Sequence, residues 1–297
     1  METGHFSKEK NLLSVVIATL GGDSLEKTID HLNVGTIKPF EILICIPTED
    51  AYRVNNFFLK NVRIIKTSCR GQVAQRAIGF QKARGRYVLQ LDDDMLVTKT
   101  CVEYLLNTAI TEGGNVAIAP ALVCDSSRKS FYQRPRNQLL LWVYYWLLNG
   151  SSGYQPGKIT LAGTNVGIDP RFVEDDVVEV EWVPGGCLLH RRDNLITDNF
   201  YPFSGKAYSE DLYHSYFLKL NQVKLMVCNS AECFLDDSVV VYDFTVLDFL
   251  SYLKADLKAR SHLVKLTKNS LTRMYVYYVF TILRYISIKI KGCLGSG

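Results

Sequence analysis

The 297-residue chain lacks several features that mark other classes of protein. Its eight cysteines include no Cys-x-x-Cys pair and no zinc-finger spacing, so we expect buried free thiols in a reducing compartment. The first residues, METGHFSKEKN, contain no apolar stretch, so we expect no secretory signal peptide. We find no internal repeat and no low-complexity segment.

Motifs of several nucleotide-handling classes are missing as well. No Gly-x-Gly-x-x-Gly follows the first predicted strand at residues 12–19, which disfavours a Rossmann dehydrogenase. Residues 153–159 contain glycine and lysine at a spacing that does not fit a phosphate-binding loop. The net charge of +4 is too small to indicate a nucleic-acid binder, and we expect no nucleic-acid partner.

What remains is the pattern of a folded α/β protein. Hydrophobic residues make up 47% of the chain and charged residues 22%, which suits a globular protein with a buried core. In the first 125 residues, short apolar runs alternate with helical patterns, which predicts a doubly wound sheet. Strands are predicted at 12–19, 41–46, 62–66, 86–91 and 115–123, and helices at 72–83 and 100–110.

The second half of the chain is less regular. An irregular stretch runs from residue 125 to about 179, and the apolar segment 138–148 interrupts it. Trp142 and Trp146, one helical turn apart in that segment, favour either core packing or a lipid contact. A second block begins at 182–190, which contains the run Pro-Gly-Gly at 184–186. A helix at 209–220 and a strand at 223–227 follow, and the pattern beyond about residue 243 is wholly helical.

Three adjacent carboxylates, Asp92, Asp93 and Asp94, follow the predicted strand at 86–91. Ligands of open α/β sheets bind at the carboxyl ends of strands. Adjacent carboxylates repel one another, and a divalent cation is one way to compensate them. If strand geometry persists, Asp92 and Asp94 point the same way and predict a Mg²⁺ or Mn²⁺ site for a pyrophosphate. A solvated turn or a helix-capping cluster would explain the spacing equally.

Four segments occur in an order that resembles a known enzyme family. They are LSVVIAT at 13–19, RAIGFQKARGRYVLQLDDD at 76–94, PGGCLLHRR at 184–192 and SEDL at 209–212. These resemble the first strand, the approach to the Asp-x-Asp motif, the Gly-rich strand and the Glu-Asp motif of family-2 glycosyltransferases. The resemblance covers roughly residues 12–235 and implies the GT-A fold, a Rossmann-like, nucleotide-sugar-binding mixed sheet flanked by helices.

The resemblance implies an inverting transfer of a sugar from a nucleotide diphosphate donor to a hydroxyl acceptor. The leaving diphosphate gains negative charge, which a divalent metal held by Asp94 and Asp92 would neutralise. The acceptor hydroxyl must lose its proton, so a carboxylate base is needed. We expect Asp211 to be this base and Glu210 to orient it or bind the acceptor. Exchanged roles, or a capping pair in the first turn of a helix, are the alternatives.

The same resemblance implies further donor contacts. We expect Thr19 beside the nucleotide base, Arg76 near a donor phosphate and Asp92 near the ribose or a metal-bound water. Ordinary surface positions would also explain Thr19 and Arg76. Gly185 and Gly186 would let the backbone approach the sugar, although a simple turn also explains them. The expected donor-binding set is Thr19, Glu49, Arg76, Asp92, Asp93, Gly185 and Gly186.

Two departures from the family pattern affect this site. Residues 45–50 read CIPTED where the family usually has an acidic pair, so Glu49 or Asp50 would contact the base or ribose from a shifted position. No histidine follows the strand after the predicted helix at 209–220, although many relatives use one as a metal ligand. Glu232, or the diphosphate and water, would complete the metal's coordination.

The C-terminal region is strongly basic. Nine basic residues and one acid lie between residues 254 and 291. Residues 271–290 are too short and too charged for a transmembrane helix. We expect an interfacial helix on anionic lipid, with packing on the catalytic domain or on a homodimer partner as the alternative.

These expectations divide the chain into a GT-A catalytic domain at 1–242, with donor and acceptor halves at about 12–125 and 126–242, and a helical basic and aromatic extension at 243–297. The expected partners are a nucleotide diphosphate sugar and a glycan or lipid-linked acceptor, at the cytoplasmic face of a membrane. A sugar nucleotidyltransferase is a second hypothesis, although residues 20–24 lack the basic side chains of its loop. A catalytically silent GT-A-like binding protein is a third.

Overall fold

The computed structural model describes residues 12–54, 59–134, 138–235 and 245–294. Its strands are β1 (Leu13–Ala18), β2 (Glu41–Pro47), β3 (Val62–Thr67), β4 (Tyr87–Leu91), β5 (Met95–Val97), β6 (Val116–Cys124), β7 (Val177–Glu179), β8 (Cys187–Arg191) and β9 (Lys224–Leu235). Its α-helices are α1 (Leu25–Asn33), α2 (Gln72–Lys82), α3 (Cys101–Thr111), α4 (Gln138–Asn149), α5 (Glu210–Leu220), α6 (Val246–Leu266) and α7 (Leu271–Leu294).

The described strands form one mixed sheet in the order β3-β2-β1-β4-β8-β6-β9-β5, and β7 pairs with β9. The first four strands in this order run parallel. β8 inserts antiparallel between β4 and β6. This insertion sets the Gly-rich turn before β8 beside the acidic residues after β4, and Asp92 N donates to Gly186 O at 2.8 Å.

Helices cover both faces of the sheet because its central strands are apolar on both sides. Leu13, Val15 and Ile17 of β1 pack in one core with α1 and α3. Val16 of β1 faces the other way and packs with Phe80 of α2. On the same side, α5 packs on the second half of the sheet through Leu218.

Close packing brings α2 down onto β1 and β2. A Cβ on Gly79 would lie 2.4 Å from Val16 Cγ1 and 2.6 Å from Cys45 Sγ, so only glycine fits at this contact. Gly79 therefore fixes how near the helix lies to the sheet.

The two C-terminal helices pack on the rest of the fold. Tyr213 of α5 donates to the carbonyl oxygen of Ala259 on α6 at 2.8 Å. Asp256 of α6 is buried. Its carboxylate accepts hydrogen bonds from Arg260, one turn later on the same helix, and from Tyr278 of α7. The buried carboxylate thus joins α6 to α7.

One side of α7 remains exposed and apolar. Tyr275, Val279, Leu283, Ile286 and Ile290 recur at three- or four-residue intervals and are exposed. No helix among the described residues is long and apolar enough to cross a membrane.

α4 also presents apolar side chains to solvent. Leu139, Leu140, Trp142 and Trp146 are at least half exposed. Its opposite side packs on α7, where Arg273 donates to the carbonyl oxygens of Trp146 and Leu147. Trp142 and Trp146 are therefore not core residues, and the lipid contact is the interpretation that remains.

Candidate active site

A groove of about 660 Å³ opens at the carboxyl end of β1. Its walls include Thr19 and Leu20 after β1, Gly71 and Gln72 at the start of α2, and the segment 205–207. This is the edge of the sheet at which open α/β folds bind ligands.

Gln75 of α2 shapes the floor of this groove. Its side-chain amide donates to the carbonyl oxygens of Thr19 at 2.9 Å and Cys45 at 2.7 Å. A single buried amide thereby joins the ends of two parallel strands. It holds Thr19 in position, so the groove is formed before any ligand enters.

Asp92 lies at the end of β4 with its side chain about one quarter exposed. Gln72 Nε2 donates to Asp92 Oδ1 at 2.9 Å, and Arg76 Nη2 donates to the same oxygen. The second carboxylate oxygen lies on the side of Gly186, whose added Cβ would come within 3.5 Å of it. The two faces of this carboxylate therefore have different surroundings.

Asp93 lies in the groove wall and makes two contacts to the first part of the chain. Thr19 Oγ1 donates to Asp93 Oδ2, and Thr28 Oγ1 donates to its backbone oxygen at 2.9 Å. Burial raises the pKa of Asp93, while the hydrogen bond from Thr19 opposes that rise. The middle residue of the triplet thus fastens the β4 end to β1.

Glu210 and Asp211 are the first two residues of α5. Neither serves as a simple helix cap: Arg76 Nη1 donates to Glu210 Oε1 at 2.9 Å, and Asp211 Oδ1 accepts from Gly185 N at 3.0 Å. Burial raises the pKa of Asp211 well above its usual range, and the neighbouring Glu210 raises it further. Arg76 and Gly185 N oppose this rise.

The backbone before Glu210 is held in an uncommon conformation. Ser209 has φ +58°, in the left-handed region that non-glycine residues rarely adopt. Its hydroxyl donates to Asp256 Oδ1 on α6 at 3.2 Å. The C-terminal helices therefore help to aim the start of α5.

Gly185 allows the acidic pair to approach the Gly-rich turn. An added Cβ would lie 2.6 Å from Asp211 Oδ1, 3.0 Å from Gln90 Nε2 and 3.1 Å from Glu210 Oε2. At Gly186 the nearest atom would be Asp92 Oδ2, at an ordinary contact distance of 3.5 Å. The space at Gly185 is thus taken by protein carboxylates.

Comparisons with known proteins show the family and the fold of this chain. The model of one protein family, described as glycosyl transferase family 2, matches residues 14–171, more than half of the chain. The chain belongs to glycosyl transferase family 2. This confirms the family that the four sequence segments predicted.

A solved structure is similar to this chain in fold over a longer stretch than the family match. It is described as the crystal structure of GalNAc-T7 with UDP, GalNAc and Mn²⁺, and it matches with a TM-score of 0.55 at 17% sequence identity. The match covers 76% of this chain and 44% of that one, so this chain spans less than half of that protein's length. The predicted GT-A fold is confirmed. A comparison with curated proteins returned no significant match.

The GT-A fold implies a divalent metal, and the acidic residues after β4 fit one. Asp92 and Asp94 supply carboxylate oxygens, the ligands that Mg²⁺ and Mn²⁺ prefer. Among the described residues, no three His, Cys, Asp or Glu side chains lie close enough together to hold an ion. Two carboxylates still suit Mg²⁺, which is usually bound by one or two carboxylates together with substrate phosphates.

The structure does not bring Glu232 to the triplet as a third ligand. Glu232 is exposed on β9 and lines a separate cavity with Arg128 and Arg171. Of the two ways to complete the metal's coordination, the diphosphate and water therefore fit this structure better.

Arg76, which we expected near a donor phosphate, lies between Asp92 and Glu210 of the candidate site. Its side chain is 3% exposed and contacts Asp92 on one side and Glu210 on the other. Burial works against its charge, but Glu210 and Asp92 outweigh burial and raise the pKa of Arg76. The guanidinium is therefore a permanent positive charge inside the site.

Glu49 and Asp50, the two acids after β2, lie in different environments. Glu49 is exposed on the turn of 3₁₀ helix Thr48–Val54 and does not line the groove. Asp50 is buried, with Arg70 Nη1 at 3.5 Å and Arg53 Nε at 3.8 Å. Both arginines line the groove. Of the two acids, Asp50 is thus the one coupled to the groove.

Sequence reasoning missed several groove residues. Gln72, Gln75 and Arg70 surround the start of α2, and Lys206 lies in the segment before α5. One signal was available: a cluster of polar residues follows the third predicted strand, at an end where ligands bind. Lys206 carries no such signal, because a loop far along the chain brings it to the groove.

Proposed function

We propose that this family-2 member transfers a sugar from a nucleotide diphosphate sugar to a hydroxyl group of a glycan or lipid-linked acceptor, with inversion at the anomeric carbon. One observation carries the proposal: Arg76 joins the donor-side carboxylate Asp92 to the Glu210–Asp211 pair. A site that must bind a diphosphate and also deprotonate a hydroxyl needs both groups close together.

The groove at the end of β1 is the proposed donor site. Its volume of about 660 Å³ lies within the usual range for small-molecule pockets. Thr19 and Asp93 lie in its wall, and Arg53 and Arg70 add positive charge. The UDP in the structural neighbour makes UDP sugars the first donors to test.

Asp94 and Asp92 are the proposed ligands of a Mg²⁺ or Mn²⁺ ion. When bound, the ion neutralises the charge that develops on the leaving diphosphate. The Mn²⁺ in the structural neighbour supports a metal of this class. The hydrogen bonds to Asp92 Oδ1 from Gln72 and Arg76 fix the orientation of that carboxylate.

Asp211 is the proposed general base. It takes the proton of the acceptor hydroxyl as the acceptor oxygen bonds to the anomeric carbon. The bond from that carbon to the diphosphate oxygen breaks, and its electron pair leaves with the diphosphate. Burial and Glu210 raise the pKa of Asp211, so the ionised form is a stronger base than an exposed aspartate. Glu210, held by Arg76, orients it.

The C-terminal helices are proposed to bring the enzyme to a membrane that carries its acceptor. The exposed apolar side of α7 and the exposed tryptophans of α4 suit the boundary of a lipid bilayer. Exposed Lys254, Lys258 and Arg284 suit anionic headgroups. A homodimer through this surface is the alternative to a membrane contact. We retain the division at residue 242 and the cytoplasmic membrane face as parts of this proposal.

The experiment is a donor panel with the purified full chain and Mn²⁺, read by donor consumption and by NMR of the product. We expect one nucleotide sugar to be consumed, with loss of activity on metal chelation, in Asp94→Ala and in Asp211→Asn. Asp193→Asn, which changes an exposed acid outside the site, is the matched control.

The proposal would be overturned if no donor is bound or hydrolysed in a metal-dependent way. Pyrophosphate release from a nucleoside triphosphate and a sugar 1-phosphate would instead identify a nucleotidyltransferase. Binding of a donor without turnover by any acceptor, and without hydrolysis, would identify a binding protein.

A further inference from the structure

The reach of Arg76 follows from the close packing of α2 on the sheet. Gly79, three residues later on the same helix, contacts Val16 and Cys45 with no room for a Cβ. From this low position Arg76 extends one guanidinium nitrogen to Glu210 Oε1 at 2.9 Å and the other to Asp92. One rigid planar group thus fixes two carboxylates at once.

The acidic side chains around Arg76 outnumber its single positive charge. Asp92, Glu210 and Asp211 are the acids that act on it, and they come from two distant parts of the chain. His190 of β8 and His214 of α5 also face it, but burial lowers the pKa of His190 to about 3 and that of His214 well below its usual value. Both histidines are therefore neutral at neutral pH.

Asp211 has one further titratable neighbour. Tyr132 faces it, and burial raises the pKa of that phenol, with Asp211 adding to the rise, so Tyr132 stays protonated and uncharged. The groups that act on Asp211 are thus Glu210, Arg76, Tyr132 and the backbone N–H of Gly185. Among these, Arg76 supplies the positive charge.

We infer that Arg76 is a positioning residue for the proton transfer and not a ligand of the donor phosphate: its guanidinium fixes Glu210 beside Asp211 and joins that pair to Asp92. The inference rests on the proposed function in one respect, the role of Asp211 as the base. The Arg76 side chain is only 3% exposed, and two of its three guanidinium nitrogens already contact Asp92 and Glu210, so little of the group is open to a phosphate.

Thermal unfolding of the full chain without ligand tests the ion pair directly. Arg76→Gln leaves buried Glu210 without its cation, and we expect it to lower Tm by roughly 10 °C. Glu210→Gln lowers Tm by less, because Asp92 still pairs with Arg76. In the double variant the loss is smaller than the sum of the single losses, because both members of the pair are removed. Arg192→Gln, which removes an exposed guanidinium, is the control and changes Tm by only about 1 °C.

Transfer kinetics test the positioning role. We expect Arg76→Gln to lower kcat on the order of 100-fold. The donor KM should change by less than about 3-fold, because Gln72 still donates to Asp92 Oδ1. The acid limb of the pH profile moves to higher pH, because the cation that favours ionised Asp211 is gone. Arg76→Lys restores the limb toward its wild-type position but not the full kcat, because an ammonium cannot contact both carboxylates as a planar fork.

Two results would contradict the inference. One is a raised donor KM in Arg76→Gln with kcat and the pH profile unchanged, which would make Arg76 a phosphate ligand. The other is a set of Tm losses that simply add. If the wild-type chain transfers no sugar, the proposed function fails, while the unfolding measurements still decide whether Arg76 holds Glu210.

Discussion

Arg76 and Glu210 lie 134 positions apart in the chain and form a buried ion pair with a 2.9 Å contact. The pair links α2 to α5. Removal of one member of a buried pair leaves a charge that solvent cannot reach, which costs about 3–5 kcal/mol. Two helices that are far apart in the sequence are therefore coupled through residues of the candidate site.

The pH dependence of transfer should report the ionisation of Asp211. Burial and Glu210 raise the pKa of Asp211, and the base must be ionised, so kcat/KM rises with pH to a half-point above the usual aspartate value of about 3.9. Glu210→Gln removes one cause of the rise, and its acid limb moves to lower pH. The measurement is kcat/KM across pH with the donor found in the panel. A limb unchanged in Glu210→Gln would contradict the assignment of Asp211.

Gly185→Ala should reduce turnover without a large effect on donor binding. The new Cβ would lie 2.6 Å from Asp211 Oδ1, so the carboxylate must move, and a displacement near 1 Å costs on the order of 100-fold in rate. Gly186→Ala is the matched comparison, because its Cβ finds only ordinary contacts. We expect a clearly smaller loss there in steady-state kinetics. Equal losses in the two variants would count against the steric explanation.

The buried histidine pair should make the fold sensitive to mild acid. His190 and His214 lie with ring centroids 5.3 Å apart, and none of their four ring nitrogens has a hydrogen-bond partner among the described residues. The unfolded chain binds a proton at each ring below about pH 6.5, whereas burial lowers the pKa of folded His190 to about 3. Unfolding free energy therefore decreases as pH falls from about 6.5, by up to about 1.4 kcal/mol per pH unit for each histidine.

Urea unfolding at several pH values between 7.5 and 5 measures this slope. The double variant His190→Leu, His214→Leu should lose most of it, because neither apolar side chain titrates. His31→Leu, which replaces a histidine of α1 outside the buried pair, is the matched control. A wild-type slope that survives in the double variant would assign the acid sensitivity to other groups.

Vesicle binding should depend on the exposed apolar side of α7. Leu283→Glu with Ile286→Glu places two charges on this apolar side, and we expect loss of co-sedimentation with vesicles that contain anionic phospholipid. Ile110→Glu, at an exposed apolar position on α3, is the control and should bind as the wild type does. Binding by neither the wild type nor the control would remove the membrane from the proposal.

Parts of the fold could be predicted because their signals are local. The parallel strands β1 and β2 appear as continuous apolar runs, since both of their faces are buried. β5 was missed because three residues carry no periodicity. The position of β8 between β4 and β6 could not be predicted from the sequence either, because pairing between strands far apart in the chain leaves no local pattern.

The residues of the site likewise divide into those with a local sequence signal and those without one. Asp92, Glu210 and Asp211 were found as acids next to recognisable segments, and the structure brings them together. The partner of Arg76 could not be found, because its position depends on how α2 and α5 approach each other over the sheet. Glu49 and Asp50 could not be separated by spacing alone, since only the turn at Thr48–Val54 decides which acid is buried.

The missing side chain at Gly79 has an effect on charge as well as on packing. A methyl group there would press on Val16 and Cys45, lift α2 from the sheet and carry Arg76 away from its two carboxylates. The pairing of Arg76 with its carboxylates thus depends on the distance between α2 and the apolar strands beneath it. Residues that never meet a substrate can tune its chemistry through that spacing.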